Sequence, residues 1–286
     1  MTDVYLNWFT RDEHFPFFIQ YGGHEEDTFD HSHVDFSELV IVLNGHATHI
    51  VNNEESFIKK GNVFVINGST SHAYKEPQDF KICNIMYKPE MLESAGPDLR
   101  TLNGFQALFI LEPFYRNITT YKSKLNLSIS SLEYVASLIS FMVGEYEAKL
   151  PGHQTLLASR FMELVVYLSR HYDNGERGLD NGLIHLANAV SYIEDHYLEP
   201  IALEEVAAKS NISIRHLNRI FKAYYQTTPI AYLQRLRLER ACMLLKQTHL
   251  SVTDISYACG FNDSNYLARQ FKKAYGMSPQ AYRKNR

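Results

Sequence analysis

Cysteine is scarce in this chain: three in 286 residues, Cys83, Cys242 and Cys259, an odd number far apart and in no metal-like spacing. A disulfide scaffold is excluded, and a reducing, cytoplasmic compartment fits best. Long apolar runs are also missing, none approaching the roughly 18 residues that a membrane helix needs. Met1-Thr2-Asp3-Val4-Tyr5 does not lead a basic stretch into an apolar one, so no secretory leader is expected. Net charge is small as well, −4, which by itself speaks against a nucleic-acid partner.

The distribution of that charge points the other way. Residues 181–286 hold 14 Lys+Arg against 8 Asp+Glu, a balance of +6; subtracting them from the totals of 28 and 32 leaves 14 against 24, or −10, for residues 1–180. A basic third on an acidic body is expected when one domain meets phosphate and the other does not. The polar run Asp173-Asn174-Gly175-Glu176-Arg177-Gly178 reads as the linker, dividing the chain into domains 1–175 and 181–286.

The basic part repeats itself. A shift of 50 residues carries Leu217 onto Leu267, Arg219 onto Arg269, Phe221 onto Phe271, Lys222 onto Lys272, Pro229 onto Pro279 and Tyr232 onto Tyr282. Each copy has the size of a helix-turn-helix. The first is expected at Leu203–Lys209 and Ser213–Tyr225, with Ser213 as N-cap and Asn211 in the turn; the second starts at Val252–Cys259, turns at Gly260 and resumes at Asp263 or Ser264. Leu183–Tyr197 precedes them, and a long helix from about Pro229 to Thr248 joins them. Leu217, Ile220 and Phe221, and likewise Leu267 and Phe271, form the inward stripes. Arg215 with Arg219, and Asn265 with Arg269, stand four apart on the faces turned away. Arg pairs bidentately with guanine and Asn with adenine, so these faces suit a major groove. The residues expected at DNA are Arg215, His216, Arg219, Lys222, Ser264, Asn265, Tyr266, Arg269 and Lys272, with His216 and Tyr266 on an exposed flank. Lys273, Arg283, Lys284 and Arg286 are assigned to phosphates or to solvation.

Residues 1–90 read as short β-strands: Glu38–Leu43, His46–Val51, Ser56–Lys59, Val63–Ile66 and Phe80–Tyr87, with turns at Asn44-Gly45, Asn52-Asn53, Lys60-Gly61 and Asn67-Gly68. Such closely spaced strands suggest a barrel or jelly roll. His31 and His33, one residue apart on a strand, share a face. Glu90–Leu102 reads as a loop after a helical turn, and Phe105–Pro113 as a short buried helix stopped by the proline. Two helical stripes follow, Leu132/Val135/Ile139/Met142/Tyr146 and Leu157/Phe161/Leu164/Val165/Leu168, parted by Leu150-Pro151-Gly152. They form a connector over about 128–171, either carrying a homodimer seam or packing on the barrel. The fold class is thus a β-barrel with a helical connector, then an all-α domain.

Two resemblances add to this reading. Gly260-Phe261-Asn262-Asp263-Ser264-Asn265-Tyr266-Leu267-Ala268-Arg269-Gln270-Phe271-Lys272, with Gly276-Met277-Ser278-Pro279-Gln280-Ala281-Tyr282-Arg283, resembles the signature of the AraC/XylS family of bacterial transcription regulators. The spacing of His31, Glu38 and Gly45, and of Gly61 and His72, is similar to the two motifs of the cupin superfamily, although Asn67 and Ser69 stand where Pro and Gly are usual. The first resemblance implies a sequence-specific DNA-binding regulator, an activator by the family's prevailing mode, with an effector-sensing cupin-like domain ahead of two helix-turn-helix units. It also implies RNA polymerase as a partner, with Asp254 facing it. Within the family the chain looks most like the regulators of L-rhamnose use, so the effector is expected to be a small sugar. His31, His33, Glu38 and His72 are the effector-binding candidates. No cofactor is expected; in metal-binding cupins the residues matching those four hold a divalent metal, so a metal, if held, falls to them. A cupin enzyme with an accessory DNA-binding domain stays open as the alternative.

Overall fold

The computed structural model describes residues 2–67, 70–93, 96–111, 124–174 and 181–284. Gly68, Ser69, Pro113, residues 175–178 of the expected linker and Arg286 lie outside them. The chain forms two compact units, Met1–Leu183 and Ile184–Arg286. Among the described residues no helix is long and apolar enough to cross a membrane.

Unit 1 is built on one bent antiparallel ribbon. Strand β4 (Ser37–Val51) runs against β7 (Ser71–Tyr87), pairing Ser37 with Tyr87 at one end and Val51 with His72 at the other. Strand β2 (Phe17–His24) lies on the 80–87 half of β7, and β3 (His31–His33) on its start, with β1 (Thr2–Val4) parallel to β3. Strands β5 (Glu54–Lys59) and β6 (Asn62–Ile66) pair with β4, and β8 (Leu125–Asn126) with β6. Asn52 and Asn53, at φ 50° and 68°, make the expected tight turn between β4 and β5. Because β4 and β7 each take partners from two layers, the sheet folds over as a barrel.

The bend corrects the expected turn at Asn44-Gly45. The ladder continues through this dipeptide with register shifts between Val42 and Thr48, so two expected strands are one. Gly45 has φ +67°, and a Cβ there would stand 2.2 Å from the carbonyl oxygens of Gln78 and Asp79, which only glycine permits. Glu76 and Asp79 across the ladder also have positive φ. Phe80–Tyr87 is accordingly half of a longer strand. Strands β1 and β2 were not expected; in β2 Phe17 and Ile19 are buried while Tyr21, at the same parity, is exposed, and Phe17 and Phe18 are adjacent, so the aromatic-rich lead shows no clean alternation.

Period-two alternation sorts the ribbon. Phe17, Ile19, Leu39, Ile41, Cys83, Ile85 and Tyr87 face helices, while Gln20, Glu38, Val40, Val42, Ile82, Asn84 and Met86 face the barrel interior. Val40, Val42, Ile58, Phe64, Ile66, Tyr74, Phe80 and Ile82 close one end of that interior as an apolar core. Residues 90–111 are helical in short pieces: α1 (Glu90–Glu93), α2 (Pro97–Arg100) and α3 (Asn103–Phe105), which runs on as a π-helix over Gln106–Leu111. Helix was expected at 105–111 but not at 97–100, where Pro97 stands at an N-terminal position that lacks a donor anyway.

Helices α4 (Ile129–Ala148) and α5 (His153–Asn174) follow. Ser128 caps α4 by accepting from Ser131 N. Val135, Ile139 and Met142 of α4, and Leu157, Phe161, Leu164, Val165 and Leu168 of α5, are fully buried. Phe161 meets Phe17 and Tyr87 at ring-centroid distances of 5.4 and 4.9 Å, so α5 packs on the sheet.

Unit 2 begins within α6 (Asn181–His196). Helices α7 (Leu203–Lys209) and α8 (Ile214–Tyr225) form the first helix-turn-helix, α9 (Pro229–Gln247) joins, and α10 (Val252–Ala258) and α11 (Ser264–Tyr275) form the second, ahead of α12 (Pro279–Lys284). Asn211 sits in the first turn at φ 55° and Gly260 in the second at 77°, the left-handed conformations those residue types tolerate.

The repeat extends to side-chain geometry. Phe221, Tyr225 and Tyr232 form an aromatic trio with centroids 5.1–5.7 Å apart; 50 positions on, Phe271, Tyr275 and Tyr282 form another at 4.7–5.9 Å. Thr228 Oγ1 accepts from Ala231 N, and Ser278 Oγ from Ala281 N, ahead of Pro229 and Pro279. Helices α8 and α11 therefore leave through the same capped corner.

Candidate functional site

The interior face of the ribbon lines a cavity of about 750 Å³. On its floor stand His31, His33, Glu38 and His72, all four brought together as expected. Glu38 Oε2 lies 3.7 Å from both His33 Nε2 and His72 Nε2, and the two imidazole nitrogens are 3.3 Å apart. The His31 ring sits 4.2 Å from that of His72, centroid to centroid. Glu38 follows from β4 register and the histidines from adjacent β3 and β7, where His31 pairs directly with His72.

Burial governs the charge of this floor. It pushes the Glu38 carboxyl up to about 8, and it holds His33, which also faces His31, down to about 3. Both groups are kept in their uncharged forms near neutrality. Glu38 Oε2 and His33 Nδ1 are buried without a hydrogen-bond partner, so each has capacity for a bound group. Ligand atoms of His31, His33 and His72 lie within 4.8 Å of one another. Three imidazoles beside an unsatisfied carboxyl oxygen fit a divalent transition-metal ion as a donor set.

The wall adds residues not foreseen. Gln20 and Asn84 are directly opposed on β2 and β7 and both line the cavity; Asn84 Oδ1 is buried and unpartnered. Asn84 interrupts an otherwise apolar run from Ile82 to Tyr87, a polar residue at inward parity that was the available signal. Trp8 and Phe29 line the same cavity and are 61% and 75% exposed, so they offer aromatic faces at its mouth. Glu25, Glu26 and Asp27 complete the rim, and the described lining contains no Lys or Arg.

The second site is on α8 and α11. Ser213 caps α8 through His216 N, and Asp263 caps α11 through the amides of Asn265 and Tyr266. Leu217, Phe221, Leu267 and Phe271 are fully buried, which turns Arg215, Arg219 and Lys222, and Asn265, Arg269 and Lys272, to solvent. His216 Nε2 lies 3.3 Å from Arg219 Nη2, and Lys222 Nζ donates to Gln226 O at the helix end. Ser264 is half-buried. Tyr266 departs from the expected exposed flank. It packs on the second unit's core and its hydroxyl accepts from Gln234 Nε2 at 2.5 Å, leaving its ring under Arg269 at 5.8 Å. Its ring lies 6.1 Å from that of Phe261, in the turn ahead of α11, and the two share an apolar edge.

Comparison with known proteins covers both sites. A model of the AraC-like ligand binding domain matches residues 14–165, and one of the helix-turn-helix domain matches residues 206–285. The HTH-type transcriptional activator RhaS of Enterobacter sp. (strain 638) is 34% identical over 262 residues, 90% of this chain and 88% of its own. RhaS of Citrobacter koseri is 31% identical over 265 residues, 91% and 90% of the two chains. Among solved structures, an AraC-type DNA-binding regulator from Chromobacterium violaceum is 35% identical, covering 35% of this chain and 88% of that chain at a TM-score of 0.33.

The charge state of the floor gives a measurable pH dependence. The Glu38 carboxyl is raised above its ordinary 4.5, so its stabilising contribution is complete below that value and is lost as pH rises through about 8. His33 works oppositely, its contribution being lost as pH falls from 6.5 toward 3. In chelator-treated protein, Glu38→Gln should gain melting temperature relative to wild type between about pH 5 and about pH 9. A difference that stays flat across this range would mean that Glu38 titrates as an ordinary carboxylate.

Proposed function

We propose a division of labour for this chain, which belongs to the AraC family of transcription regulators: the barrel of unit 1 captures a small, uncharged, polyhydroxylated effector, and the outward faces of α8 and α11 read DNA. The chain is a DNA-binding transcriptional activator of that family with a ligand-binding domain ahead of its helix-turn-helix domain. We assign effector sensing to residues 1–175, with the connector at about 128–171, and DNA binding to 181–286. The division of contacts between Leu183 and Ile184 supports that boundary. No catalytic residue is assigned.

One observation carries the DNA-reading proposal. Both recognition helices are capped, bury an apolar stripe and leave an Arg/Arg or Asn/Arg pair in solvent at i,i+4 spacing. Arg215, Arg219, Asn265 and Arg269 are the proposed base readers. Lys222 and Lys272, near the helix ends, suit phosphates, as do His216 and Ser264 near the starts, whereas Tyr266, packed on the core beneath Arg269, is assigned to holding that arginine rather than to phosphate.

The effector's class follows from charge. An anion inside the cavity meets Glu25, Glu26 and Asp27 with no cation in the described lining to offset them. These three carboxylates are exposed, so solvent screens each repulsion, but all act in the same direction against an anion. Neutral Glu38 and His33 with Gln20 and Asn84 offer donors and acceptors suited to hydroxyls, and Trp8 and Phe29 offer faces for a sugar ring. The names of the relatives are consistent with an activator but supply no ligand. Where a divalent metal is held, His31, His33, Glu38 and His72 would hold it, and it would supply Lewis acidity to an effector hydroxyl.

Two further partners are proposed. Tyr134 and Phe141, seven residues apart on α4, are 42% and 46% exposed and make the face we assign to a homodimer. Asp254 is exposed in the first turn of α10, where Ser251 Oγ donates to it at 2.6 Å, and we assign it to RNA polymerase.

Arg219→Ala should weaken specific binding by about 1–3 kcal/mol and relax preference at one base pair, whereas Asp254→Ala should lower transcription with DNA affinity unchanged. Equal loss on specific and random DNA would reassign Arg219 to phosphate, and loss of affinity would remove Asp254 from polymerase contact. In thermal-shift titrations, with and without chelator, neutral sugars should stabilise the protein by about 2.7 kcal/mol at 100-fold excess over Kd. Stabilisation by phosphorylated sugars alone would refute the charge argument; stabilisation abolished by chelator would make the metal part of the site. Sedimentation should give a dimer that Phe141→Glu dissociates, and an unchanged dimer would place the seam elsewhere.

A further inference from the structure

Unit 2 contains a polar contact that neither recognition helix uses. Arg237, midway along α9 and half-buried, donates from Nε to Tyr197 O and from Nη2 to Glu199 O, both at 2.6 Å. Those carbonyls belong to the segment that leaves α6 and enters the first helix-turn-helix. The guanidinium also lies 5.8 Å from the Phe261 ring, in the turn of the second helix-turn-helix. Beside it, Gly260 is at φ +77°, and a Cβ there would stand 2.7 Å from Leu198 O and 3.0 Å from Arg237 Nε. The entry to the first unit, the turn of the second and the joining helix therefore meet at one side chain.

We propose that Arg237 is a positioning residue that fixes the angle between the two recognition helices, and through it the spacing of half-sites that the protein accepts. Three features of the contact support this. Its acceptors are main-chain carbonyls just beyond a helix end, which carry partial negative charge and lack intrahelical donors. A planar fork addresses two carbonyls at a set angle, whereas an ammonium cannot impose that angle. And α9 packs on α8 as well as on α10 and α11, so a rotation at this seam is passed to both DNA-facing helices.

The functional weight comes from tethering. Two modules held on one body gain effective concentration for the second binding event only when both reach their sites at once. Successive major-groove segments are about 34 Å apart, and moving one by a single base pair displaces and rotates it. A stiff seam makes the protein intolerant of that shift; a loose one makes it tolerant and weaker.

This proposal rests on the reading that α8 and α11 engage DNA together, and the test separates the two. Full-length protein is used to select bound duplexes from a random pool, and affinities are then measured on the selected site and on versions with one or two base pairs inserted between its halves. Wild type should lose about 30-fold or more on insertion, as expected for bivalent contact that can no longer span its site. Arg237→Gln, which keeps a single amide donor, should bind the selected site about 10-fold more weakly and lose less than about 3-fold further on insertion. Gly260→Ala, which pries the same seam from the opposite side, replaces it if the melting profile of Arg237→Gln is not cooperative. An undivided site selected by wild type would defeat the two-helix reading itself. A two-part site with the full insertion penalty retained in the variant would leave that reading standing and overturn the role of Arg237.

Discussion

The register of β4 against β7 is the constraint on which unit 1 depends. Glu38 opposite Met86 and Val40 opposite Asn84 put the polar floor and wall inside; Leu39 opposite Ile85 and Ile41 opposite Cys83 put apolar side chains under the helices. A slip of one residue would exchange the two sets and bury a carboxyl and an amide against Phe161 and its neighbours. The bulge around Gly45 lets the same two strands serve both layers, so the histidines of β3 and the start of β7 arrive over Glu38. The cavity's floor and wall come from sheet geometry and its rim from the segment between β2 and β3, so the histidines and Glu38 are sequestered while the acidic groups stay at the mouth.

Unit 2 meets a different demand. A helix that reads DNA must spend its outward face on polar groups, leaving a single stripe and its exit corner to hold it. Phe221 with Tyr225 and Tyr232, and Phe271 with Tyr275 and Tyr282, supply that hold twice. The Tyr232 hydroxyl donates to Glu194 at 2.6 Å, tying the first trio to α6. The second trio instead takes Lys246 over Tyr282 at 5.3 Å. The halves are alike in their interiors and unlike in what surrounds them.

Much of unit 2 was legible because its signals are local: Ser213 as cap, Asn211 and Gly260 as left-handed turns, Pro229 as a start. Unit 1 was legible in its constellation and less so in its boundaries. His31 and His33 share a strand face by their spacing, and their grouping with Glu38 and His72 came from the resemblance to the cupin motifs; the strand that carries His72, which begins at Ser71, was not expected. The strand through Asn44-Gly45 could not be read, since a bulge and a hairpin share the same dipeptide and differ only in what lies across the ladder. Gln20 and Asn84 were missed for a related reason: their importance comes from facing each other across β2 and β7, a long-range pairing that no local window contains. The inward lean of Tyr266 depends likewise on Gln234, 32 residues away.

The aromatic trios have an evolutionary consequence. Since each anchors its helix from behind, residues such as Arg215, Arg219, Asn265 and Arg269 carry little of the folding load and can drift at low thermodynamic risk. On the proposed assignment of these four residues to base contacts, a gene copy could be retargeted to another promoter one half at a time, with the untouched half retaining enough grip for selection to act on the altered one. Duplication of the motif thereby separates durability from address.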